Sequence, residues 1–426
     1  MLWSRLYLAA VPIIVHITNA SPTPHEDGKI SNARLLVERV ATSHLVVAEN
    51  VLPLRRTGLA AKSSAVLRDP STNTTAVMPI NDGVIYAITI SFGGKDFEVV
   101  FDTGSSDLWL ATEGVRCTDG GHSTACKFGP LADPDFQGGG IPNETFGIEY
   151  VDHESMTGVL GRQDVGIANI TVKRQEVALV DQAHWAGDNL TSGLIGFAYP
   201  KLTSASNLNG VPVLYNNWLF NAIDQKLISP IFSLAIERGT NVGQLALGGL
   251  PTVAFEHTFA STPILKADVI LGRREASNDS INNKYSSYSR YAILPDGYTL
   301  NGKYHATEDA QMIPDSGTTL MHMPHEMARR VNDAFKPPAK YDAKVGEYLV
   351  RCNAKPPSFA MNIGGKTFPI KGEDLILSAS ATNGHCLVGI KGSNGPHYIL
   401  GDTFLKNIVA VFDIGQGQMH FAPHDY

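Results

Sequence analysis

Val99-Val100-Phe101-Asp102-Thr103-Gly104-Ser105-Ser106 and, 213 residues later, Met312-Ile313-Pro314-Asp315-Ser316-Gly317-Thr318-Thr319 share one pattern. Each is an apolar lead-in, an Asp, a hydroxyl residue, a Gly and two more hydroxyl residues. Each is answered downstream by an apolar pair and a Gly. Leu194-Ile195-Gly196 ends 94 residues after Asp102, and Ile399-Leu400-Gly401 ends 86 residues after Asp315. A lone Asp-Thr/Ser-Gly triplet is an ordinary turn. Two copies in matched surroundings, at matched spacing, point to a duplicated lobe.

The residue types suit a pair of carboxyl groups that work together. A carboxylate at the end of an apolar strand is partly desolvated. Two of them brought close cannot both ionise cheaply, so they share one proton. One then serves as general base on a water while the other protonates a carbonyl oxygen, without a cofactor. Gly104 and Gly317 are expected to let the chain turn sharply behind each Asp. Ser105 and Thr318 stand three residues after each Asp, where a hydroxyl fixes the outer carboxylate oxygen. Thr103 and Ser316 are placed to bridge the lobes.

Composition agrees with a β-rich body. Of 426 residues, 18% are charged and 40 are Gly, against 43% hydrophobic. Few charges and many glycines favour short strands joined by tight turns, and the length fits two lobes plus processed segments. A net charge of −7 speaks against binding a phosphate backbone, and Lys, Arg and aromatic residues do not cluster. There is no His-Glu-X-X-His or Cys-X-X-Cys, so no metal site is expected. There is also no Gly-X-Ser-X-Gly elbow and no phosphate loop.

Residues 1–20 read as a secretory signal. Arg5 precedes the apolar run Leu6 to Ile17, shorter than the ~20 residues of a membrane span. The polar C-terminus carries no lipid-anchor tail. Residues 21–78 read as a removable leader ending somewhere in 56–78. They hold seven Lys/Arg and five Asp/Glu, whereas 79–426 hold 26 basic and 36 acidic groups. A basic leader on an acidic body is suited to electrostatic retention, and Arg55-Arg56 is a dibasic processing pair. The body divides into a first lobe, 79–245, and a second, 246–426.

Four cysteines in a secreted chain suggest two disulfides. Three pairings are formally open. The local one, Cys117 with Cys126 and Cys352 with Cys386, is preferred. Candidate glycosylation sites are Asn73, Asn143, Asn169, Asn189 and Asn278. Strands are expected at Val84 to Ile90, Phe97 to Phe101, Ile167 to Val172, Glu176 to Val180, Gln244 to Leu247, Tyr398 to Leu400 and Ile408 to Phe412. Helices are expected at Asn217 to Lys226 and His325 to Phe335.

On the twin Asp motifs, residues 79–426 resemble a pepsin-like aspartic endopeptidase of the secreted fungal type. The resemblance implies a mainly β, bilobal fold with a catalytic cleft between the lobes. It implies Asp102 and Asp315 as the catalytic pair and no cofactor. It implies Tyr150 as the flap tyrosine, since Ser155-Met156-Thr157-Gly158-Val159-Leu160-Gly161 comes after it, and Trp109 of Asp107-Leu108-Trp109 as the indole bracing it. The two local cysteine pairs sit where the family has disulfides.

The expected function is that of a monomeric, secreted zymogen cutting internal peptide bonds in acid, with large apolar groups flanking the bond. Its partners are protein or peptide substrates and its own leader as intramolecular inhibitor, with Lys62 or Arg68 pairing with the dyad. A vacuolar destination uses the same signal. The alternative is an inactive binding or inhibitor protein on the same scaffold. Loss of an Asp, its Gly or the tyrosine would favour that alternative, and none is lost.

Three departures from the family pattern bear on the site. The flap tip Tyr150-Val151-Asp152-His153-Glu154 lacks the usual glycines, and its acids could attract basic or polar groups. Pro314 removes a backbone donor before the second Asp. Lys266 to Ser289 reads as a polar insertion.

Overall fold

The structure is a computed structural model describing residues 42–48, 74–80, 85–119, 122–123, 126–150, 153–238, 243–266, 285–307, 309–343, 346–382, 384–395 and 398–424. The signal segment, Arg55-Arg56, Lys62, Arg68, Asn73, Asp152 and Asn278 lie outside these residues.

The fold is mainly β, with two β-rich lobes. Its strands follow the apolar patterning. Lys95–Asp102 begins exposed, then alternates, then is buried on both faces as it runs into the interior, as expected of a strand covered on both sides. It pairs with Ile85–Phe92 through a two-glycine turn. Gly93 and Gly94 both adopt positive φ there, which glycine does without steric cost. Long antiparallel pairing of Ser155–Ile167 with Ile170–His184 carries the rest of this lobe. The expected run Ile167 to Val172 is therefore not one strand. It contains the hairpin turn Ala168-Asn169, with Ala168 at φ 51°. Its apolar residues on both sides of a two-residue turn, one of them Ala168, mimic a continuous strand.

The second lobe contains three four-stranded sheets. One pairs Met312–Pro314, Tyr398–Leu400, Met321–Pro324 and Ile390–Ser393. Two helices fall where expected. Trp218–Asp224 is capped by Asn217, whose side chain accepts from Phe220 N–H. His325–Asp333 buries Met327 and Val331. Phe335 is buried just beyond the helix.

A six-stranded antiparallel sheet joins the halves of the chain. Its order is Thr74–Ile80, Gly243–Leu247, Ile231–Ala235, Ile408–Asp413, Gln418–Pro423 and Ala260–Pro263. Thr74–Ile80 also pairs with Ile85–Phe92 on its other edge. Both lobes thus share one ladder, which limits how far one can shift against the other.

Residues 42–48 lie against this sheet. Ala48 N–H donates to the Leu250 carbonyl, and Leu250 N–H to that of Val46. Leu45 packs on a cluster containing Ile231, Val409 and Val411. His44 Nε2 is 2.6 Å from Asp413 Oδ2, and His420 Nε2 is 3.5 Å from the same oxygen.

The disulfides are Cys117–Cys126 and Cys352–Cys386. Asn143, Asn169 and Asn189 are all exposed. The last part of the expected polar insertion is a turn partly packed into the core. Tyr285 and Ser289 are buried, and Tyr288 stacks on Tyr199. Its tyrosines give it a polar composition while their rings bury like any large apolar group.

Candidate active site

Each Asp sits at the end of a short parallel ladder. Lys95–Asp102 runs beside Gly193–Gly196, setting Asp102 level with Gly196. Met312–Pro314 runs beside Tyr398–Leu400, and Asp315 N–H donates to the Leu400 carbonyl at 3.1 Å. Pro314 causes no break there. Its carbonyl instead accepts from Thr103 Oγ1 at 3.1 Å.

The two turns hold their carboxylates alike. Gly104 N–H donates to Asp102 Oδ1 at 2.6 Å, and the Ser105 hydroxyl donates to Oδ2. Gly317 N–H donates to Asp315 Oδ1 at 2.9 Å, and the Thr318 hydroxyl donates to Oδ2 at 2.8 Å.

The glycines serve closeness, not a left-handed turn. Neither Gly104 nor Gly317 has positive φ. A Cβ on Gly104 would stand 2.7 Å from Asp315 Oδ1, and one on Gly317 would collide with the Asp102 carboxylate. Each turn thus makes room for the acid of the other.

Thr103 and Ser316 lock the two turns together. Thr103 N–H donates to Ser316 Oγ, and Ser316 N–H donates to Thr103 Oγ1 at 3.0 Å. The Ser316 hydroxyl donates to the Phe101 carbonyl at 2.9 Å. These bonds are buried, where breaking one leaves a polar group unmatched.

Asp102 and Asp315 are 5% and 8% exposed, so ionising both would place two charges in a poor solvent. Burial and then the Asp102 charge push the Asp315 carboxyl well above the usual range. The arrangement suits one proton held between the two carboxyls.

Tyr150 accepts a 2.9 Å hydrogen bond from Trp109 Nε1, and Trp109 is fully buried with Trp185 edge-on to it. Burial and then the Asp102 charge raise the Tyr150 phenol, keeping it neutral. The hairpin beyond closes through Tyr150 N–H to the Glu154 carbonyl, with His153 at φ 72°. Glu154 Oε1 accepts from Ala186 N–H at 2.8 Å, so one acid expected to face substrate is tied into the hairpin base.

Asp402 was not singled out in the sequence, though it directly follows Gly401. It is buried, and among the described residues neither carboxylate oxygen has a hydrogen-bond partner. Its N–H donates to the carbonyl of Thr318, the residue whose hydroxyl holds Asp315. Burial raises its pKa, Lys406 opposes, and the Asp315 and Asp102 charges raise it further. Asp402→Asn keeps the shape and removes the ionisation. It is expected to lessen the fall in stability between pH 4.5 and 7.5, measured by thermal melts. An unchanged fall would show that Asp402 does not contribute to it.

The eukaryotic aspartyl protease family model matches residues 85–424. The chain belongs to that family, and its class is that of an aspartic-type endopeptidase, a hydrolase. It is 40% identical over 359 residues to a probable aspartic-type endopeptidase of Aspergillus fumigatus, covering 80% of this chain and 79% of the relative. It is 28% identical to rhizopuspepsin of Rhizopus chinensis, over 85% of this chain and 84% of that protein. It is also 28% identical to gastricsin of Oryctolagus cuniculus, over 79% and 80%.

Proposed function

We propose that the chain is a secreted endopeptidase, made as a zymogen, that hydrolyses internal peptide bonds in acid through Asp102 and Asp315. The observation that carries this reading is the matched pair of turns, each holding one carboxyl against the other by the same donors. With one proton shared, Asp102 as carboxylate takes a proton from water while Asp315 gives its proton to the peptide carbonyl oxygen. The water oxygen bonds to the carbonyl carbon, giving a neutral tetrahedral diol. Proton transfer to the nitrogen and collapse of the diol then break the C–N bond, and the pair regains its single proton. Tyr150, hydrogen-bonded to Trp109, is assigned to cover the bound peptide.

The docking of residues 42–48 supports the leader reading. The strand Thr74–Ile80 is paired on both edges, which supports reading it as part of the body and proposing a processing point between Arg56 and Thr74. Among the described residues no helix is long and apolar enough to cross a membrane. Export to the medium is proposed, with the vacuole as the other destination of the same route.

The test is to express residues 21–426, acidify, and follow cleavage of a denatured protein with and without a statine-type inhibitor. Inhibitable cleavage, with a new N-terminus between residues 57 and 74, is expected. A processed, folded and inactive protein would overturn the reading.

A further inference from the structure

Residues 42–48 and the strands Ile408–Asp413 and Gln418–Pro423 bring His44, Asp413 and His420 to one point. His44 Nε2 is 2.6 Å from Asp413 Oδ2, and His420 Nε2 is 3.5 Å from the same oxygen. The three atoms all lie within 4.8 Å of one another. The hairpin register explains two of them. Val411 pairs with His420 and Asp413 with Gln418, so Asp413 and His420 are diagonal neighbours on one face. Leu45 packs on Val411 of that face, which brings His44 alongside.

The two ligands from the sheet are braced. His420 Nδ1 is 2.7 Å from Ser261 Oγ, and Asp413 Oδ1 accepts from Gln416 N–H at 2.9 Å. With Nδ1–H donating to Ser261, His420 turns its Nε2 lone pair to the Asp413 carboxylate. That side chain is fully buried, and among the described residues its Nε2 makes no hydrogen bond. Two buried acceptors facing each other lack a donor or a cation between them. An imidazole fixed through its other ring nitrogen is how proteins hold a metal-binding histidine.

Two imidazole nitrogens and one carboxylate oxygen suit Zn²⁺ and its neighbours, whereas Mg²⁺ and Ca²⁺ take oxygen ligands. Tetrahedral bonds of ~2.1 Å set ligand atoms ~3.4 Å apart. His420 already stands at that spacing from Asp413. His44 has to withdraw by ~0.8 Å, which its 38% exposed side chain can do, and that exposure gives an ion its way in.

We propose that His44, Asp413 and His420 form a Zn²⁺-type metal site that clamps residues 42–48 to the body. The body supplies two ligands, and the segment upstream of the proposed processing point supplies the third. The clamp's role in the zymogen rests on the reading of that segment as leader. The site departs from the expectation of no metal, which rested on short motifs, because His44 and Asp413 are 369 residues apart in the chain.

The test uses residues 21–426 carrying Asp102→Asn, so that the chain stays uncut and no readout depends on peptidase activity. Zn²⁺ is titrated by calorimetry at pH 7.0, with Mg²⁺ and Ca²⁺ for comparison. One Zn²⁺ per chain is expected, bound about 100-fold more tightly than Mg²⁺ or Ca²⁺. His44→Gln keeps a donor for Asp413 at a half-exposed position, so it should fold. It should weaken Zn²⁺ binding by about 100-fold or more, and Ser261→Ala by about 10-fold, since losing a ligand's support alone costs ~10- to 100-fold. Zn²⁺ should also slow amide exchange at residues 42–48 by about 10-fold relative to EDTA, and not in His44→Gln. Absence of saturable Zn²⁺ binding overturns the site. So does binding that keeps its affinity in His44→Gln, which places the ion on other side chains. Binding that leaves exchange at 42–48 unchanged overturns the clamp. A native-sequence chain that binds Zn²⁺ in this way but cleaves nothing after acidification overturns the endopeptidase reading and leaves the site standing.

Discussion

Asp102→Asn and Asp315→Asn are each expected to lower kcat/KM by about 10³-fold or more while the protein stays folded. Asn keeps the side-chain shape, and its oxygen can still accept from one of the two donors at each turn. Its substitution removes the ability to hold and pass the shared proton. Because the two carboxyls act as one unit, the double variant should be scarcely worse than either single one. Steady-state kinetics on one peptide, with circular dichroism to confirm the fold, decides the matter. Independent, additive losses would mean that the two acids do not share a proton. Near-normal activity in either variant would move the chemistry elsewhere.

The folded protein is expected to be most stable near pH 4 to 5 and to lose stability on the way to neutrality. Five buried or half-buried carboxyls have raised pKa values: Glu98, Asp107, Asp315, Asp402 and Glu176, the last at about 7. Burial is the first cause in each. The native state therefore keeps protons that the unfolded chain, with ordinary carboxyls near ~4, has already released. Where the native state holds more protons, stability falls as pH rises. One carboxyl held protonated over two pH units costs about 2.7 kcal/mol on reaching the end of that window. Glu176 is partly exposed and should contribute less than a buried group.

The opposite sign applies to Asp413 and Asp164. Burial opposes the lowering at Asp413, but His420, His44 and the Gln416 N–H outweigh it. Lys173 and the Arg174 N–H lower Asp164. Their support is present above the unfolded pKa and is lost below about pH 4. Melting curves from pH 3 to 8 should show a maximum near pH 4 to 5 and a midpoint lower by roughly 5 °C or more at pH 7.5. A maximum at neutral pH would contradict the assigned protonation of the buried acids.

Much of the site was legible because its chemistry is local. An Asp, the Gly two residues on and the hydroxyl three residues on form one turn, so their spacing alone places both carboxylate donors. The apolar pair and Gly that lie level with each Asp were likewise visible as strings. The role of Gly104 and Gly317 was not. A turn glycine and a glycine that clears space for an opposing carboxylate look the same in one dimension. Likewise, Ile167 to Val172 read as one strand because a two-residue hairpin turn leaves the apolar pattern almost unbroken.

The family, the β-rich class, the two acids and the sulfur pairs could all be read from the order of residues, since they depend on residue identity within short windows. Folding settled what stands next to what across long separations. It crossed Thr103 with Ser316, set the Pro314 carbonyl against the Thr103 hydroxyl, and bonded the Asp402 N–H to the Thr318 carbonyl. Electrostatic fields and close packing act through space over a few ångströms, and only the folded chain brings residues 102, 315 and 402 within that reach.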